Sequence, residues 1–170
     1  MIYQQVDSWK VPSAAQAMAP LGDSDNNFKP VKCTKRYQIK CGVETAFIQI
    51  TDTKGIKCFS TKRETRNSYN RQKKAAKYKL GPKVYGDLYL YMYEAKGCFF
   101  QRWGYVTQVA ETKHPLINKY AKHFCGNDTS TAFWAKLHKH GISCSDLHEG
   151  NIGVIDGHLV RIDFGDESSL

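Results

Sequence analysis

Two short strand-like runs, Ile152 to Ile155 and His158 to Ile162, flank the dipeptide Asp156-Gly157. An Asp-Gly pair between two such runs is a strong signal for a tight antiparallel hairpin. A hairpin returns the chain to its starting point, so it brings the residues at its open end, Asn151 and Asp163, beside one another. Asp163 opens the tripeptide Asp163-Phe164-Gly165, and Asn151 closes the run Asp146-Leu147-His148-Glu149-Gly150-Asn151. Any fold of this chain has to place these groups around one hairpin.

The pattern upstream predicts the rest of the framework. Tyr37, Ile39 and Cys41 alternate with polar residues up to Gly42, and Ala46, Ile48 and Ile50 alternate again. Asp52-Thr53-Lys54-Gly55 is a turn signal, and Ile56 to Ser60 resumes an extended run. Three short antiparallel strands follow from this. Lys62 to Leu80 is rich in helix formers and is expected to stop at Gly81-Pro82. Leu88 to Tyr93 and Cys98 to Trp103 read as strands joined at Ala95-Lys96-Gly97. His114 to Phe124 reads as a short helix, and another runs from the caps at Asp128-Thr129-Ser130 to about His140, stopped by Gly141. The first 30 residues hold three of the five prolines and read as an arm or linker, with a short helix near Pro12 to Met18.

Composition narrows the classes. Hydrophobic residues make up 41% of the 170, enough for a core and too many for a disordered chain. No run approaches the ~20 apolar residues that span a bilayer, and Met1 to Lys10 lacks the layout of a secretory signal. The expectation is a cytoplasmic protein with no membrane contact, its six cysteines free thiols. A zinc site drawn from Cys125, His138, His140, Cys144 and His148 matches no finger spacing. The formal charge is +9, and between Lys62 and Lys83 nine basic residues accompany one acid, Glu64. Such a stretch attracts nucleic acid or an acidic protein, or serves as a solvated helix face.

Phosphoryl transfer from ATP needs hard oxygen ligands for magnesium, a carboxylate for the proton of the attacking hydroxyl, and a cation on the phosphates. An Asp, an Asn five residues later, and Asp-Phe-Gly after a short hairpin form the protein-kinase version of this set. Asp146, Asn151 and Asp163-Phe164-Gly165 stand at that spacing, so the chain resembles the kinase-like superfamily. Asp146-Leu147-His148 looks most like the aminoglycoside and choline kinase branch, and the short layout is loosely similar to the early protein kinases of T7-like bacteriophages. The resemblance implies Asp146 as catalytic base, with Asn151 and Asp163 as magnesium ligands. His148 would stabilise the loop, and Cys144 and Ser145 fill the places where protein kinases have His and Arg.

Gly55-Ile56-Lys57-Cys58-Phe59 resembles the third-strand segment that presents the phosphate-binding lysine, here Lys57. The family's glycine-rich loop is reduced to Cys41-Gly42-Val43-Glu44, leaving Gly42 for the phosphates. Glu64 is the helix carboxylate available to pair with Lys57; Asn70 or Gln72 stands nearer the family's usual position. The resemblance implies an α+β fold, a compact and C-terminally truncated protein-kinase-like one. Residues 1–30 would be the arm, 31–108 an N-lobe of sheet plus helix, and 109–170 a minimal C-lobe. Nucleotide would sit between the lobes, with a linker near Trp103 to Gln108. The expected function is an ATP- and magnesium-dependent kinase acting on protein Ser or Thr, with the chain itself among the candidate acceptors. The alternatives are a pseudokinase that binds a partner protein, and a nucleic-acid-binding module using the basic helix.

Overall fold

The computed structural model describes residues 2–4, 28–30, 39–41, 45–95, 98–122 and 128–165. Gly42, the segment 12–18 and the turn residues Lys96 and Gly97 lie outside these. The chain is α+β. Its strands are β1 (Ile2–Gln4), β2 (Phe28–Pro30), β3 (Ile39–Cys41), β4 (Thr45–Gln49), β5 (Lys54–Phe59), β6 (Val84–Ala95), β7 (Cys98–Gln108), β8 (Ile152–Ile155) and β9 (His158–Arg161). Its helices are α1 (Lys62–Lys77), α2 (Pro115–Lys122) and α3 (Asp128–Lys139). Among the described residues no helix is long and apolar enough to cross a membrane.

The chain divides into two units, Met1–Arg66 with Tyr85–Thr107, and Asn67–Val84 with Gln108–Leu170. Trp103 to Gln108, expected as a linker, is the end of β7, and the division falls between Thr107 and Gln108. Most of α1 groups with the second unit, although residues 31–108 read in sequence as one lobe. The cause is side-chain contact that sequence separation hides, described below for Arg71, Gln72, Lys74 and Ala75.

The first unit is a seven-stranded sheet in the order β1-β3-β4-β5-β7-β6-β2. β1, β3, β4 and β5 pair antiparallel in turn, and β2 joins β6 in parallel. Alternation in β4 buries Ala46 and Ile48, which stand opposite Cys58 and Ile56 of β5. Tyr91 and Tyr93 of β6 complete that core. Between β5 and β6, strand β7 leaves no room at Gly104. A Cβ there would lie 2.7 Å from the Lys57 carbonyl oxygen and 3.0 Å from Cys58 Sγ, so only glycine admits this close approach.

α1 starts at a reciprocal cap. Thr61 Oγ1 accepts the Glu64 N–H at 3.2 Å, and Glu64 Oε2 accepts the Thr61 N–H at 3.0 Å. This capping box satisfies two backbone donors that a helix start leaves open. The helix ends at Lys77, four residues before Gly81 of the expected Gly81-Pro82 stop. Leu80 N–H reaches the Ala75 carbonyl at 3.0 Å, Lys79 N–H reaches Ala76 at 3.1 Å, and Lys79 has φ +59°. This is a Schellman end with lysine at its left-handed position. α3 closes the same way on Gly141 (φ +58°), with Ile142 N–H donating to Leu137 at 2.9 Å.

The second unit has its own core of Ala75, Leu80, Ile117, Tyr120, Phe133, Leu137, Ile142, Leu147, Ile152, Val154 and Phe164. Full burial of one such aliphatic or aromatic side chain contributes about 1.5–3 kcal/mol. Leu147 and Phe164 flank the motif residues, so the same burial that stabilises the unit anchors Asp146 and Asp163 on either side.

The left-handed Lys79 gives the first prediction. A Cβ in that conformation costs roughly 1–2 kcal/mol, which glycine avoids. Lys79→Gly should raise the urea midpoint, a gain of about 0.5–1 kcal/mol after the extra flexibility of the unfolded chain. A lowered midpoint would show that the Lys79 side chain contributes more than the strain removes.

Candidate functional site

The β8–β9 hairpin forms as its turn dictates. Ile155 pairs with His158 across Asp156 (φ +50°) and Gly157 (φ +75°), and the register runs back to Ile152 opposite Arg161. Positive φ at both turn residues is what a two-residue hairpin turn demands. The ladder continues one step, with Ile162 N–H donating to the Asn151 carbonyl at 2.9 Å. Asp163 therefore follows directly on the partner of Asn151. On its other edge β8 meets Glu111 through a reciprocal pair of backbone bonds with Val154, at 2.9 and 3.0 Å. Gly153 makes this fit possible, since a Cβ there would stand 2.6 Å from Ala110 Cβ.

Asp146 and Asn151 are joined by the Asn side chain. Nδ2 donates to the Asp146 carbonyl at 2.9 Å and to Asp146 Oδ2 at 3.1 Å. Both partners are acceptors, so the amide can face them only with its nitrogen. Its oxygen, Oδ1, is turned the other way. Asn151 itself is buried. Asp146 has φ +53°, a conformation that Asp tolerates better than most residues but that still carries strain. The strain is offset by the bond from Asn151 to its carbonyl. Its side chain is 75% exposed.

His148 caps the short 3-10 turn Glu149–Asn151, its Nδ1 accepting the Gly150 N–H at 3.1 Å. With Nδ1 an acceptor, the neutral ring carries its proton on Nε2. That atom lies 3.8 Å from Asp146 Oδ1. Asp163 Oδ1 accepts the Gly165 N–H at 3.0 Å, a turn that fixes the carboxyl relative to the glycine.

Sequence reading missed what holds these loops together. Arg161 is buried. Its Nε donates to the Asp163 carbonyl at 2.6 Å, its Nη1 donates to the Ser143 carbonyl, and its guanidinium lies 5.3 Å from the Phe164 ring centre. The backbone N–H of Arg161 reaches the Leu80 carbonyl at 2.9 Å. From α1, Arg71 Nη1 donates to the Gly165 carbonyl at 2.8 Å and Lys74 Nζ to the Gly141 carbonyl at 2.7 Å. The buried Gln72 amide reaches the Pro82 carbonyl at 3.1 Å. The one signal for Arg161 in the sequence is a long cation two residues before Asp163, at the buried end of a four-residue strand.

Asp146, Asn151 and Asp163 thus come together at one end of the hairpin. Lys57 and Glu64 belong to the first unit. Lys57 is buried on β5 opposite Phe47, its ammonium 5.4 Å from the Phe59 ring centre. The Glu64 carboxylate, expected to pair with Lys57, accepts the Thr61 N–H in the helix cap. Gly42 lies outside the described residues. Among the described residues no three His, Cys, Asp or Glu side chains converge as a metal cluster. Magnesium held against phosphates keeps several non-protein ligands and draws only one or two carboxylates from the protein. No protein-family model matches the chain, and no curated protein matches it.

Arg161 yields the second prediction. Arg161→Met keeps the aliphatic stem and leaves two loop carbonyls without their donor. Both bonds are part-buried, and each hydrogen bond from a charged donor contributes about 1.5–3 kcal/mol. The urea midpoint should fall by an amount equivalent to about 2–4 kcal/mol, and Arg161→Lys should recover less than half, because lysine lacks the fork that serves two acceptors. A midpoint unchanged within about 0.5 kcal/mol would refute the clamp.

Proposed function

We propose that this chain is an ATP- and magnesium-dependent phosphotransferase acting on a protein serine or threonine hydroxyl. The observation that carries the reading is the direction of the Asn151 amide, whose nitrogen is committed to Asp146, so that the oxygen is the atom left to meet a ligand. An amide oxygen and the nearby Asp163 carboxyl are hard donors, the kind magnesium takes, so the residues present fit that ion. Bound there with ATP, magnesium would neutralise charge that develops on the transferring phosphoryl group.

The remaining work falls to the chain. Asp146, fixed through Asn151 on one oxygen, would accept the proton of the attacking hydroxyl. Asn151 sets the orientation of that carboxylate, and His148 Nε2 stands 3.8 Å from its other oxygen. Arg161 and the Gly165 N–H hold Asp163 in place. Exposure supports the acceptor class. A small acceptor site buries 70–90% or more of its ligand, whereas Asp146 is mostly exposed. A protein acceptor brings its own surface to an open carboxylate.

Incubation with labelled ATP and magnesium, alone and with cell extract, tests the reading. Two variants separate its parts. Asp163→Ala should abolish the rise in melting temperature that ATP and magnesium produce together by mass action. Asp146→Asn should keep that rise and lower phosphate transfer by about 10²–10⁴-fold. Nucleotide binding without transfer by the parent protein would make the chain a nucleotide-binding partner protein. Unchanged nucleotide binding by Asp163→Ala would overturn the metal assignment.

A further inference from the structure

We propose that the joined C-terminal ends of α1 and α3 form a binding surface for single-stranded nucleic acid. The inference is independent of phosphoryl transfer. It starts from two segments, 67–84 and 129–145, which contain seven lysines and no Asp or Glu. All seven lysines are exposed. They are far apart in the chain, and the structure brings the two helix ends together. Tyr78 and His140, the capping residues of the two Schellman ends, stack at 3.9 Å with their planes 19° apart. Lys74 Nζ donates to the Gly141 carbonyl at 2.7 Å. Lys73, Lys77 and Lys79 from one end therefore join Lys136 and Lys139 from the other.

Helix-dipole stabilisation accounts for cations in the last turn of each helix separately, at about 0.3–1 kcal/mol apiece. It does not account for bringing together two such ends from segments that carry no Asp or Glu of their own. Like charges so arranged repel, and a polyanion relieves the repulsion while releasing its own counterions. Two features favour nucleic acid over an acidic protein. The exposed cations are lysines, point charges suited to a uniform phosphate backbone; paired recognition of carboxylates favours the arginine fork. Aromatic rings are also interleaved among them. Lys73 lies over Tyr69 at 5.3 Å and Lys77 over Tyr78 at 5.9 Å. Among the described residues the exposed large hydrophobic side chains are Tyr78 and Trp134, and both fall in these two segments. Exposed rings beside a basic track are what unpaired bases stack on, and duplex DNA hides those base faces.

The test is fluorescence anisotropy with labelled single-stranded oligothymidylate, a duplex of equal length, and polyglutamate as competitor. The oligothymidylate should bind, with affinity falling steeply between about 50 and 200 mM salt at a log–log slope near −3, about four or five phosphate contacts. Lys73→Glu with Lys77→Glu, and separately Lys136→Glu with Lys139→Glu, should each weaken binding by about tenfold or more and flatten that slope. Melting curves of the variants establish that they fold. Tyr78→Ala should weaken the single strand more than the duplex, and Tyr78→Phe should retain it. Parent-like binding by either lysine pair overturns the two-helix surface. Polyglutamate competing as well as oligothymidylate at equal charge makes the partner an acidic protein, and a duplex bound as tightly as the single strand removes the stacking role; either result overturns the proposal.

Discussion

Arg161 takes a buried cation into the middle of two loops and spends its donors on backbone carbonyls, those of Ser143 and Asp163. Loops cannot satisfy their own polar groups as helices and strands do, and a buried carbonyl without a donor is costly. The second unit solves this with long side chains from regular elements. β9 supplies Arg161, and α1 supplies Arg71 to Gly165, Gln72 to Pro82 and Lys74 to Gly141. The positions of Asp146 and Asp163 depend on this arrangement, because neither lies inside a strand or helix. Phe164 adds an apolar anchor between them, since its buried ring is also the surface on which the guanidinium rests.

The same economy explains the Asn151 amide. One side chain, held in the hairpin by Ile162 N–H at its own carbonyl, satisfies both the main chain and the side chain of Asp146. It fixes a left-handed aspartate that would otherwise be strained, and it leaves an oxygen directed elsewhere. An Asp at position 151 would set two carboxylates against each other at that point, and a Gln would move the amide by a methylene. The asparagine is thus required by local geometry before any ligand is considered.

Much of this was legible in the sequence because the relevant forces are local. The Asp156-Gly157 turn fixes its hairpin through the φ angles of two residues, and the alternation of Ala46 and Ile48 fixes the buried face of β4. Asp146, Asn151 and Asp163 were legible for the same reason, since one hairpin links them. What was not legible depends on contacts between residues far apart in the chain. α1 ends before the expected Gly81-Pro82 stop because Leu80 is drawn into the core with Ala75 and Phe164, and that burial overrides the preference for glycine at the left-handed Lys79. Glu64, the helix acid available to Lys57, gives its carboxylate to the start of its own helix, where Thr61 completes a four-residue cap. Arg161 gave no periodic signal, because the hairpin is buried on both faces at that end.

One helix therefore serves two kinds of constraint along its length. At its start, α1 is closed by groups from its own first turn, Thr61 and Glu64, which need nothing from elsewhere. Toward its end it is fixed by what it gives away, since Arg71, Gln72 and Lys74 all donate to carbonyls of other segments. Long cationic side chains suit that role because they reach past the helix surface while their stems pack along it. The high charge of the segment is thus partly structural. Arg71 and Lys74 are committed to the loops that flank Asp163 and Asp146, whereas Lys73 and Lys77, one turn apart on a neighbouring face, lie over Tyr69 and Tyr78 and remain exposed. Spacing along the helix separates the two groups, and charge counted along the sequence does not.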